Sequence, residues 1–68
     1  RAPHESLSDR EYQVLIQLAT GKSVKQIADQ ESLSVKTIST YRSRVLKKTG
    51  LKTNADIVRY AVDKGLIP

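Results

Sequence analysis

The sequence holds no cysteine, no tryptophan, no phenylalanine and no methionine. Without cysteine there is no disulfide framework and no thiolate metal site, and the chain suits a reducing, cytoplasmic compartment. Three tyrosines are the only aromatic side chains besides one histidine, so a core must be assembled from Leu, Ile, Val and Ala. No apolar run approaches the length of a membrane span. No signal peptide is visible, since the chain opens on the polar Arg1-Ala2-Pro3-His4-Glu5-Ser6. It does not open on Met and reads as a piece cut from a longer protein. His4 has no second ligand near it in sequence, which argues against a metal site. No Gly-rich phosphate loop and no clustered carboxylates are present, so neither an enzyme nor a cofactor is expected.

What the chain does have is basic charge, unevenly placed. Its 68 residues fit one small domain and carry a net charge of +5. A chain of this size buries a modest fraction of its surface, and compact helices suit that limit. From Val35 to Lys52 there are six basic residues (Lys36, Arg42, Arg44, Lys47, Lys48 and Lys52) and no acidic one. A solvated helix surface usually mixes both signs. Segregation of this kind points to a polyanionic partner.

Caps and apolar periodicity predict an all-α, compact four-helix domain over residues 7–68, with residues 1–6 as a loose lead-in or linker. The first helix starts at Ser8, in a capping box with Glu11, with Leu7 positioned to staple onto Tyr12. Val14, Leu15, Leu18 and Ala19 form its apolar stripe, and Gly21 ends it. The second starts at Ser23 in a box with Gln26, turns Val24, Ile27 and Ala28 inward, and stops near Glu31. The third runs from Ser34 to about Thr49, with Gly50 as its stop. The fourth starts near Thr53 or Asn54 and is stopped by Gly65.

The second and third helices, joined by a short turn around Ser32-Leu33-Ser34, have the spacing of a helix-turn-helix, whose second helix enters the DNA major groove. Ala28 permits close approach of the two helices, and Leu33 plugs the core between them. At about 100° per residue, Val35, Ile38, Val45, Leu46 and Thr49 fall on one side of the third helix. The other side carries Lys36, Ser39, Thr40, Ser43, Arg44 and Lys47. Small hydroxyl side chains let a helix come close to base edges, and the threonine methyl can touch a thymine methyl. The flanking cations suit phosphate.

The pattern Leu7-Ser8-x-Arg10-Glu11-x-x-Val14-Leu15, Gly21, Ile27-Ala28, Ser34-Val35-Lys36-Thr37-Ile38, Tyr41-Arg42-x-Arg44-Val45-Leu46-x-Lys48 and Leu51 resembles the C-terminal domain of LuxR/FixJ/NarL-type bacterial transcription regulators. The Tyr41-Arg42-x-Arg44 segment is closer to the response-regulator branch than to the quorum-sensing branch. The resemblance implies a helix-turn-helix domain that binds double-stranded DNA, its fourth helix often used for dimerisation. It also implies an absent N-terminal receiver or ligand-binding domain. Carried over by position, Ser39, Thr40 and Ser43 match base-facing positions. Lys25, Thr37, Arg44 and Lys47 match positions that touch phosphates.

Lys36 joins the base-facing set by its place on the wheel, and Tyr41 has two readings: its ring packs, or its hydroxyl reaches a phosphate. Thr37 either supports the first turn of its helix or meets phosphate at the helix N-terminus. Arg42 falls on the core side, and its structural reading is an ion pair with Glu11 of the first helix, against a DNA contact as the functional one. Ala55, Val58, Arg59 and Val62 lie on the outer side of the fourth helix and read as a homodimer seam or as ordinary exposed residues. The alternative function is a helical protein-interaction module docking on transcription machinery such as RNA polymerase subunits. That reading predicts a larger exposed apolar groove and less basic bias on the third helix.

Overall fold

The structure is a computed structural model describing residues 2–68. Within them a 3-10 turn at Pro3–Ser6 precedes four α-helices: α1 (Asp9–Ala19), α2 (Val24–Glu31), α3 (Val35–Thr49) and α4 (Asn54–Asp63). No strand occurs among the described residues, and the expected all-α architecture holds.

The helix starts follow from local chemistry. Ser8 Oγ accepts the Glu11 N–H at 3.2 Å, and Glu11 Oε1 accepts the Ser8 N–H at 2.8 Å. The same reciprocal box forms between Ser23 and Gln26 and between Thr53 and Asp56. Each box satisfies backbone donors that the first turn leaves without partners. Ser34 caps α3 through the Thr37 N–H at 3.0 Å, and its hydroxyl donates to Thr37 Oγ1 at 2.9 Å.

Three helix ends close alike. The N–H groups of Lys22, Leu33 and Leu66 reach back five residues, to the carbonyls of Gln17, Ala28 and Ala61. Each closure needs a left-handed residue just before the donor. Glycine supplies it at Gly21 and Gly65, but after α2 the residue is Ser32, with φ of 58°. The turn between α2 and α3 thus places a side chain where glycine is favoured.

α1 is the hub, packing against both α3 and α4, while α2 rests mainly on α3. Val14, Leu15, Leu18 and Ala19 of α1 meet Ile27 and Ala28 of α2, Ile38 and Val45 of α3, and Ile57 and Ala61 of α4 in one buried core. Leu7, Tyr12 and Leu33 pack partly buried against it. Val35 departs from its expected inward placement: it is 50% exposed. It is the first residue of α3, and a helical wheel treats the whole helix as packed when only part of its length has a neighbour.

The ion pair expected between Arg42 and Glu11 does not form. Glu11, only 3% exposed, is held by Lys48, whose Nζ donates to Glu11 Oε1 at 2.8 Å. The Arg42 Nε and Nη2 groups both donate to Asn54 Oδ1, at 3.0 and 2.9 Å, tying α3 to the first residue of α4. Arg42 thus makes a structural contact between helices, at the α3–α4 joint and not with α1. Six residues separate Arg42 from Lys48, which displaces them by about 9 Å along the axis and well around the helix. The first turn of α1 meets the later end of α3, out of reach of Arg42.

The lead-in also departs from expectation. Pro3–Ser6 is ordered as a single 3-10 turn. The His4 N–H donates to the Tyr60 hydroxyl oxygen at 3.1 Å, and His4 Nδ1 lies 2.9 Å from the same oxygen. A second ion pair, Arg10 to Glu31 at 2.9 Å, links α1 to the end of α2.

The Lys48 ammonium and the Ser8 N–H hold the Glu11 carboxyl below its ordinary 4.5, against the opposing effect of burial. A carboxyl whose folded value is depressed stabilises the fold above its unfolded value, and this contribution fades as pH falls through the folded one. Lys48→Met should therefore lower the unfolding free energy at pH 7 by about 2–3 kcal/mol, because it strands a buried carboxylate. Urea titrations should show that deficit shrinking below pH 4.5; a deficit constant with pH would refute the pair's ionic role. Ser32→Gly should raise stability by about 0.5–1 kcal/mol, since it relieves the left-handed serine. An unchanged or lower melting temperature would contradict that account.

Candidate nucleic-acid interface

The residues read as DNA-facing share one exposed side of α3. Ile38 and Val45 anchor the opposite side of the helix in the core. Lys36, Ser39, Thr40, Ser43, Arg44 and Lys47 are all exposed. They fall in two rows at spacings of three and four residues, Lys36-Ser39-Ser43-Lys47 and Lys36-Thr40-Arg44-Lys47, which stacks them into a strip along the helix. No acidic residue lies in α3 itself. Lys25, on the second position of α2, is exposed as well.

The hydroxyls on this strip are not equivalent. The Thr40 hydroxyl donates to the Lys36 carbonyl at 3.0 Å. With its proton engaged inside the helix, Thr40 offers its methyl group and an acceptor lone pair. Thr37 is half-buried, and its hydroxyl accepts from Ser34, so it supports the first turn of α3. Tyr41 is half-buried against the core, as its packing reading requires.

Toward the end of α3 the strip opens into a cleft of about 520 Å³, lined by Arg44, Lys47, Lys48 and Glu11. Two features here escape one-dimensional reading. Lys48 belongs to the basic run, but its place in this cleft depends on α1 packing beside it. Asn54, the partner of Arg42, carries no sequence signal beyond its position at the start of α4.

On α4, Ala55, Val58, Arg59 and Val62 are exposed, with Val58 at 38% and Val62 at 52%. They lie opposite the buried Ile57 and Ala61. Among the described residues no group of three His, Cys, Asp or Glu side chains could hold a metal ion. No helix is long and apolar enough to cross a membrane.

Comparison with known proteins places the chain in a family. Residues 5–61 match the family described as bacterial regulatory proteins, luxR family. The chain is 35% identical over 66 residues to the response regulator GacA of Pseudomonas aeruginosa, an alignment covering 97% of this chain and 31% of that protein. It is 34% identical over 65 residues to the response regulator UvrY of Escherichia coli, covering 96% of this chain and 30% of that protein. It is 37% identical over 65 residues to the oxygen regulatory protein NreC of Staphylococcus aureus, again covering 96% and 30%. The chain thus spans about a third of the length of these relatives. With its match covering most of the sequence, the chain belongs to the luxR family of bacterial regulatory proteins.

Proposed function

We propose that this chain is a sequence-specific binder of double-stranded DNA, acting as the DNA-binding part of a cytoplasmic two-component response regulator. The observation that carries the reading is the exposed, acid-free strip of α3, anchored from behind by Ile38 and Val45. In this reading α3 enters the major groove. Lys36, Ser39, Thr40 and Ser43 face base edges, and Lys25, Thr37, Tyr41, Arg44 and Lys47 face phosphates. Because the Thr40 hydroxyl donates to the Lys36 backbone carbonyl, its methyl is suited to a thymine methyl and its lone pair to a base amino group. Tyr41 and Thr37 contribute through hydroxyls on half-buried side chains, so their share is smaller than that of the exposed cations.

Two copies would bind half-sites about one helical turn apart, joined through Ala55, Val58, Arg59 and Val62 of α4. The two exposed valines on that face support this arrangement.

Gel-shift titrations separate the roles. Thr40→Ala and Ser43→Ala should change which duplex is preferred, by roughly 1–3 kcal/mol at the affected base pair. Lys47→Ala should weaken every duplex alike and reduce the salt slope by about 0.9. If none of the three variants altered binding, α3 would not be the DNA-facing helix. For the dimer, Val58→Asp with Val62→Asp should abolish cooperative binding to paired half-sites yet preserve binding to one. Unchanged cooperativity would place the seam elsewhere.

A further inference from the structure

Lys48 is the one basic side chain of α3 that forms an ion pair among the described residues. Its partner is almost wholly buried: the Glu11 side chain is 4% exposed, while that of Lys48 is 41% exposed. The pair is therefore oriented, with the carboxylate inward and the ammonium at the surface. Glu11 Oε1 also accepts the Ser8 N–H, which fixes the carboxylate independently of Lys48. The ammonium has three donors, and Glu11 Oε1 takes one. Lys48 lines the open cleft together with Arg44 and Lys47. Arg44, Lys47 and Lys48 stand at positions i, i+3 and i+4 on one helix, so they share a face.

We infer that Lys48 is a further phosphate-binding residue of the domain, and that Glu11 is its positioning residue. The inference rests on the DNA-facing reading of α3. A free lysine loses rotamer freedom when it is fixed on a ligand. Lys48 is already held by α1 before DNA arrives, so much of that loss belongs to folding instead. Its two remaining N–H donors can meet a phosphate oxygen that Arg44 and Lys47 approach from the same face. The buried carboxylate serves here as a strut: it points the ammonium outward and stays out of reach of the DNA. It also couples recognition to the hub helix, because α1 carries Glu11 and α3 carries the base-facing strip.

The test is a salt titration of affinity for a mixed-sequence duplex about three helical turns long. It compares the unaltered chain, the double variant Glu11→Gln with Lys48→Gln, and Arg44→Ala. The double variant removes one charge of each sign, leaves the net charge unchanged, and replaces the ion pair with two amides that can still bond. The expected result is a salt slope shallower by about 0.9, the value for one lost phosphate contact. A slope equal to that of the unaltered chain, alongside a shallower slope for Arg44→Ala, would make Lys48 a purely structural residue. If Arg44→Ala also left the slope unchanged, the DNA-facing reading of the cleft would itself fail, and the inference with it.

A second measurement needs no variant that might unfold. Amine acetylation of the unaltered chain, read by mass spectrometry, should show duplex protecting Lys48 as well as Lys47, with Lys64 as the unprotected reference. Equal modification of Lys48 with and without duplex, while Lys47 is protected, would overturn the assignment.

Discussion

Glu11 is a carboxylate taken out of water where the first turn of α1 meets the far end of α3, and two groups hold it there. The Ser8 N–H comes from its own helix, and the Lys48 ammonium comes from the other. Withdrawing a charge from water is costly unless it is paired and hydrogen-bonded, so this contact tolerates little drift in how α1 and α3 meet. Apolar packing alone is less exacting. Ile38 and Val45 could keep most of their buried area through a small rotation of α3, but the ion pair could not follow. The rotational setting of α3, and hence the face it presents, depends on this contact more than on any other polar one.

From that setting the remaining features follow. α1 contacts α3 and α4 at once, so fixing α3 on α1 also fixes where the start of α4 must lie. There Asn54 receives the Arg42 guanidinium, which ties α4 to α3 directly. The outer strip of α3 is left with hydroxyls and cations, the outer side of α4 with two exposed valines. A rigid hub with two unlike outward faces is an economical arrangement for a domain proposed to meet DNA with one helix and a second copy with another.

The docked lead-in is a smaller case of the same logic. His4 reaches Tyr60 across 56 positions of sequence. The 3-10 turn at Pro3–Ser6 is thereby seated against the folded domain. A segment that reads as a loose connector meets Tyr60 of the last helix and packs beside α3 as well.

By itself the sequence determined most of what depends on neighbours along the chain. Ser8, Ser23, Ser34 and Thr53 began helices because a hydroxyl can satisfy the free N–H groups of a first turn. Gly21, Gly50 and Gly65 ended or followed them because they adopt positive φ. The basic, acid-free strip was legible from helical periodicity, since three- and four-residue spacings fix a face without reference to any partner. What only the tertiary structure decided was pairing across distance. Periodicity says which side of a helix a residue is on, but not how far two helices slide along one another. That axial offset gave Glu11 to Lys48 and sent Arg42 to Asn54. It left Val35 beyond the packed part of α3, and it set Lys48 beside Arg44 and Lys47 in one cleft. Ser32 escaped for a related reason: its left-handed backbone is imposed by the turn that α2 and α3 must share, not by any preference of serine.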